Sequence, residues 1–247
     1  MTPYIGDEPV ASPERVPFWG YNDVFLFFGL ALPCIIVAQL LIVGVLLLFH
    51  LDTHNKGLLA MPAMFIAYIL LFFILYAILQ IQYGRPFWKS LAFTGYRHPL
   101  FAFAGGWVLA IVISQVGILL RIPDTDNPMK ELFNTRASAI VFGIFATTLG
   151  PLAEEVIFRG FLQPVLIRSL GVIAGIIATA IPFGLLHLQQ YAFSWRHALL
   201  ITIAGIAFGW MRQITGSTRA SALLHAGYNS TFFLALIAAG THPSLHW

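Results

Sequence analysis

Four residues stand out by type and setting: Glu154, His187, His225 and Asn229 each interrupt a stretch that is otherwise apolar. A carboxylate and an imidazole can take up and return protons, and a carboxamide can donate hydrogen bonds to a growing negative charge. The carboxylate and the imidazoles are also common zinc-ligand types. A carboxylate within a membrane-length apolar helix costs roughly 2.5–3.5 kcal/mol on insertion scales, so adjacent Glu154 and Glu155 require a reason. Glu155 and Arg159 are four apart, on one helical face, where carboxylate and guanidinium can pair. Glu154 points about 100° away from that face. Either it serves another purpose, or both carboxylates sit at the membrane boundary and are solvated. Phe183 and His187 share a face, as do His225 and Asn229. A lone histidine in an apolar helix is ordinarily a satisfied core residue. A glutamate, two histidines and an asparagine in successive apolar spans are buried at least cost as one cluster. His50, His54, His98, His197, His242 and His246 fall in loops or at span ends and are assigned no chemistry. Cys34 is the single cysteine, which excludes an intrachain disulfide.

The elements that must position these groups follow from composition. Of 247 residues, 59% are hydrophobic and 9% charged, against the roughly 25% charge of a soluble domain. Such a chain cannot coat a surface facing water, and the lipid bilayer is its expected environment. The net charge of +3 is spread thinly, with no basic stripe, so nucleic acid is not an expected partner. Residues 1–23 form a polar segment with Asp7, Glu8, Glu14 and Asp23 against Arg15, unlike the basic start of a signal peptide. Apolar runs of about 20 residues mark membrane spans. They occur at Val24 to Phe49, Gly57 to Leu79 and Pro99 to Leu120, then from Arg136 through Glu154, and at about Val172 to Leu188, His197 to Met211 and Ala220 to Ala239. The fold class expected is an all-α, polytopic transmembrane helical bundle of about seven spans with a polar intramembrane cavity. Residues 24–135 supply the first helices and an interfacial segment, and residues 136–247 the core that carries the chemistry. Arg85 to His98 mixes aromatic and basic residues, as a short headgroup helix or a simple loop would. Asp52 to Lys56 and Arg121 to Thr135 read as polar loops.

Depth supports the clustering. Glu154 lies 16 residues before Leu170 and His187 lies 17 after it, so a hairpin turning at Ser169 to Gly171 sets them side by side. With the boundary near Gln163, Glu154 lies roughly 13 Å deep, and His225 about 9 Å below Arg219. The fifth helix should then extend beyond Leu188 toward Trp195. Gly150, Pro151 and Pro182 break helices near the candidate site, although Pro182 is equally an ordinary kink. Gly171/Gly175 and Gly205/Gly209 have the spacing of helix-packing pairs. The side of the N-terminus carries seven Lys and Arg against five on the other, which places that terminus in the cytoplasm. Arg168, Arg212 and Arg219 are expected to flank a cavity mouth on the same side.

The motifs Glu154-Glu155-Val-Ile-Phe-Arg159, Phe183-Gly-Leu-Leu-His187, and Thr215-Gly216-Ser217 leading to His225-Ala-Gly-Tyr-Asn229 resemble those of the CPBP family. This is the CAAX prenyl protease type 2 and bacteriocin-processing group of intramembrane proteases, also called the Abi family. The resemblance covers about Gly150 to Asn229. It implies an intramembrane peptidase in which Glu154 is the general base for a water, His187 helps hold that water, and His225 and Asn229 stabilise the oxyanion. Glu155, Arg159 and Phe183 give structural support. The partner implied is a peptide or the C-terminus of a protein, prenylated in some relatives. The location expected is the cytoplasmic membrane of a prokaryote, crossed several times, with one span fewer than longer members have. No cofactor is expected. The alternative is zinc held by Glu154, His187 and His225, although there is no HExxH helix. A further alternative is a non-enzymatic membrane binding or immunity protein on the same fold, and a transporter is the weakest reading.

Overall fold

Lipid offers no hydrogen bonds to a backbone, so apolar runs of membrane length fold as helices. The computed structural model describes residues 16–51, 56–122 and 136–238, and among them every regular element is helical. Residues 1–15, 52–55, 123–135 and 239–247, with His54, His242 and His246 and most of the two stretches read as polar loops, lie outside the described residues.

Helix α1 spans Tyr21–Leu48, and α2 spans Lys56–Tyr76 and continues as a π-helical turn, Ala77–Gln82. A four-residue helix α3, Phe87–Ser90, precedes α4, Pro99–Leu119. Helix α5, Arg136–Thr147, breaks at Thr148 before α6, Leu149–Glu155. A second π-helical stretch, Val156–Leu162, leads into α7, Gln163–Leu170. Helix α8 is Val172–Leu186, α9 is Trp195–Thr215 and α10 is Thr218–Ala238. Five helical segments are long and apolar enough to cross a membrane: Tyr21–Leu48, Leu59–Gln82, Pro99–Leu119, Ile140–Leu170 and Trp195–Thr215. The fold is therefore an all-α, polytopic membrane fold.

Small residues let the last helix sit at its centre. A Cβ on Gly106 of α4 would lie 2.2 Å from the Leu224 carbonyl oxygen, and one on Gly227 of α10 would lie 1.9 Å from that of Phe103. The two backbones thus touch, as small residues permit in lipid, and Trp107 Nε1 donates to Ser230 Oγ at 2.8 Å across the contact. The core joins both parts of the chain: Phe27, Leu75, Leu79, Leu91, Val156, Phe161, Phe183 and Phe208 belong to one buried cluster.

Several local expectations need correction. Helix α7 does turn into α8 at Gly171, but this glycine has φ +81° and a Cβ placed on it would meet nothing within 4 Å, so it is a turn residue. Gly175 packs on the Ile167 backbone and Gly205 on Phe183 and Arg159. Gln163 does not face outward: it is 1% exposed and its Nε2 donates to the Gly209 carbonyl at 3.0 Å. Helix α8 stops at Leu186, with 3₁₀ turn Gln189–Tyr191 after it, and does not extend toward Trp195. The segment Arg85 to His98 is a clasp within the bundle. Leu91 is fully buried against Gly160. The Leu91 carbonyl accepts from Thr218 Oγ1 at 2.6 Å, that of Ala92 from the Thr218 amide, and that of Thr94 from Ser217 Oγ. This clasp, the N-terminal residues held by Arg168 at the Pro17 carbonyl, and the turns at Gly171 and Gly216 gather at one end of the bundle.

Candidate functional site

The glutamate pair sits where one helix changes its winding. Glu155 ends the α-helical turns of α6, and the π-helical stretch Val156–Leu162 follows at once, a feature frequent at functional sites. Within this stretch the Phe161 carbonyl accepts from Trp19 Nε1 at 3.0 Å. Upstream, Pro151 has no amide hydrogen to donate, and the chain breaks at Thr148.

Glu155 is fully buried, and its spacing to Arg159 is realised as an ion pair of 2.7 Å. It has two further partners that i,i+4 spacing does not reveal. His225 Nδ1 lies 3.0 Å from Glu155 Oε1, and the Ser221 hydroxyl, which also lies 2.9 Å from the Phe208 carbonyl, makes a short bond to Oε2. Arg159 donates from Nη2 to the Gly205 carbonyl at 2.8 Å. Its guanidinium carbon lies 4.3 Å from the Phe183 ring centre and 5.4 Å from that of Phe208, so aromatic faces share in holding the buried cation. Phe183 also meets the His225 ring edge-on at 5.8 Å, and Phe208 stacks on it at 4.3 Å. The imidazole is therefore fixed on both sides and at Nδ1.

Glu154 is placed differently. Its side chain is 23% exposed, and its Oε2 lies 3.9 Å from His225 Nε2, a separation that leaves room for a water bonded to both. Tyr68 of α2 donates to Oε1 at 3.3 Å. His187 caps α8, with Nδ1 2.8 Å from the Phe183 carbonyl. A carbonyl only accepts, so Nδ1 carries the hydrogen and Nε2 is left for another partner. Asn229 donates from Nδ2 to the Ala146 carbonyl at 2.8 Å, which serves the broken end of α5; the second Nδ2 hydrogen remains.

Glu154, His187, His225 and Asn229 all line one cavity of about 450 Å³. Its walls are mostly aromatic and aliphatic, from Ile113, Phe142, Phe145, Leu200, Phe208 and Phe233 among others, so it is less polar than the sequence suggests. His197, assigned no chemistry above, also lines it and stacks on Tyr191 at 4.8 Å. Arg168, Arg212 and Arg219 do not flank this cavity. It reaches instead to Gln190, Tyr191 and His197 at the α8–α9 connection, the opposite ends of α8 and α9 from those arginines. Arg168 is tied to Pro17 and Arg212 to Thr218 Oγ1.

The donor types suit zinc, and each histidine has its Nδ1 held, as metal-bound histidines do. Among the described residues, however, no three His, Cys, Asp or Glu side chains come together as a ligand set.

Site and fold together define a class: a polytopic membrane protein whose buried histidine–glutamate–glutamate cluster is consistent with glutamate-dependent catalysis. Residues 136–231 match the family model described as Type II CAAX prenyl endopeptidase Rce1-like, which is less than half of the 247 residues. The match is consistent with the CPBP and Abi superfamily and supports hydrolase function at the family level. No curated protein and no solved structure matched the chain.

Proposed function

We propose that the protein is an intramembrane endopeptidase that hydrolyses a peptide bond with water activated by Glu154. The observation that carries this reading is the division of labour between adjacent carboxylates. Glu155 is saturated by Arg159, Ser221 and His225, whereas Glu154 faces a cavity with an oxygen 3.9 Å from an imidazole nitrogen. In the proposed reaction Glu154 takes a proton from water as its oxygen bonds to the scissile carbonyl carbon. The tetrahedral intermediate then breaks its C–N bond, and the proton passes to the departing amine. His187 helps hold the water. His225 and the second Nδ2 hydrogen of Asn229 donate to the oxyanion, each such donor being worth roughly 2.7–4 kcal/mol where measured. Phe183, Glu155 and Arg159 hold His225 in place. The substrate is a peptide or a protein C-terminus, and mostly apolar walls suit an apolar segment, prenylated or not.

The experiment is incubation of purified protein with membrane-associated peptides in buffer containing a chelator. New peptide ends are expected with the chelator present. Loss of cleavage that zinc restores would move the site to the zinc reading, and intact peptides with and without zinc would favour a binding protein.

We also propose that α8 and α10 complete seven crossings of the cytoplasmic membrane. Helix α8 rises about 22 Å over its 15 residues and gains length from the 3₁₀ turn. The end that carries Arg85, Lys89, Arg97, Arg168, Arg212 and Arg219 lies in the cytoplasm with the N-terminus, by the positive-inside rule. The cavity then opens at the α8–α9 connection on the opposite face. A cysteine at Ser194 is expected to react with an impermeant reagent added outside intact cells, and one at Ser169 to be protected. The reverse pattern would invert the orientation.

A further inference from the structure

Tyr68 lies on α2, outside the stretch that carries the motifs and outside the stretch matched to the family model, yet it touches the carboxylate on which the proposed reaction turns. We infer that Tyr68 is a positioning residue for hydrolysis: its phenol engages Oε1 of Glu154 and leaves Oε2 as the oxygen that receives the proton from water. The inference rests on the reading of Glu154 as the base.

Three observations carry it. An ionised carboxylate only accepts, so the 3.3 Å contact has one polarity, with the phenol donating to Oε1. The other oxygen, Oε2, is the one turned toward His225 Nε2. A bond at one oxygen therefore fixes the carboxylate plane and selects which oxygen faces the imidazole. The ring itself is held. Ala67, Leu71 and Leu75 of α2 are buried, and Tyr68 stacks on Phe145 with ring centres 5.7 Å apart and planes 9° from parallel. Met64, one turn earlier on α2, lines the same cavity as Tyr68. Phe145 in turn precedes Ala146, whose carbonyl holds Asn229. One short segment of α5 thus sets both the tyrosine beside the base and the asparagine. The contact is long for a hydroxyl bond, as those of catalytic groups commonly are before substrate arrives.

The alternative is that Tyr68 merely fills space between α2 and α5. Tyr68→Phe keeps the ring and its stack and removes only the hydroxyl, so the two accounts separate. Proton transfer from water depends on the orientation of the base. The expected loss in kcat is about 10- to 100-fold, the worth of one hydrogen bond to a charged group, with KM and the unfolding temperature unchanged. An infrared difference spectrum between parent and Tyr68→Phe should show a displaced carboxylate stretch, which should vanish when both proteins also carry Glu154→Gln. All proteins are compared as the full chain in one detergent preparation and one cleavage assay. An inactive Glu154→Gln beside a Tyr68→Phe of parental kcat overturns the inference alone. So does a Tyr68→Phe that loses stability and raises KM with no carboxylate displacement, which is the result of a packing role. Full activity of Glu154→Gln overturns the reading beneath it, and the inference with it.

Discussion

Glu155→Gln is expected to destabilise the protein by about 3–5 kcal/mol, the cost of breaking a buried ion pair by removing one partner's charge. Glu155 and Arg159 are both inaccessible to solvent, and among the described residues Glu155 is the carboxylate that pairs with the guanidinium, at 2.7 Å. The guanidinium has little to fall back on. Its Nη2 is already used at the Gly205 carbonyl, and its Nε has no hydrogen-bond partner among the described residues. Aromatic faces at 4.3 and 5.4 Å remain, but a cation–π contact is worth only about 2 kcal/mol when desolvated. The amide of a glutamine also brings two hydrogens where the carboxylate only accepts, so Ser221 has to give its hydrogen to the Phe208 carbonyl at 2.9 Å instead. Thermal unfolding in detergent measures this. Cleavage should fall as well, because Glu155 holds His225 at Nδ1. An unfolding temperature equal to the parent's would show that the pair is not structural.

Glu154→Gln is expected to do the opposite: leave unfolding at the parental temperature and lower the cleavage rate by about 10²- to 10⁴-fold, the usual worth of a general base. It meets one phenol at 3.3 Å and one imidazole at 3.9 Å, and its side chain is partly exposed in the cavity. A carboxamide of the same shape retains those contacts' volume and loses the capacity to take a proton from water. Adjacent residues in one motif should therefore fail in different ways, as an unfolding curve and a rate taken on one preparation will show.

What was legible in the sequence was whatever local spacing dictates. The Glu155–Arg159 pair follows from i,i+4 geometry, the Gly171 hairpin from a glycine flanked by two apolar runs, and the long apolar helices from run length alone. The convergence of Glu154, His187, His225 and Asn229 on one cavity was legible as the least costly way to bury polar groups. What was not legible depends on which helix meets which. Tyr68 is one of several aromatic residues in α2 until α6 is known to lie beside it, and Ser221 is an ordinary helix residue until Glu155 is placed opposite. The burial of Gln163 could not be read either, because its acceptor, the Gly209 carbonyl, lies 46 residues away. The π-helical stretch Val156–Leu162 has no compositional signature, so depths reckoned on α-helical rise were bound to drift there. The placement of Arg168 and Arg212 near the cavity failed for a related reason: charge counts order the helix ends, not the depth at which a cavity forms between them.

The most direct test of the central claim, hydrolysis by a water that Glu154 activates, is cleavage in ¹⁸O-labelled water. Parent and Glu154→Gln, reconstituted in lipid at equal amounts and shown to unfold alike, are incubated with membrane-associated peptides, and the new C-termini are weighed by mass spectrometry. The account predicts new termini carrying the label from the parent and almost none from Glu154→Gln. Labelled termini in equal yield from both proteins, or none from the parent, would contradict it.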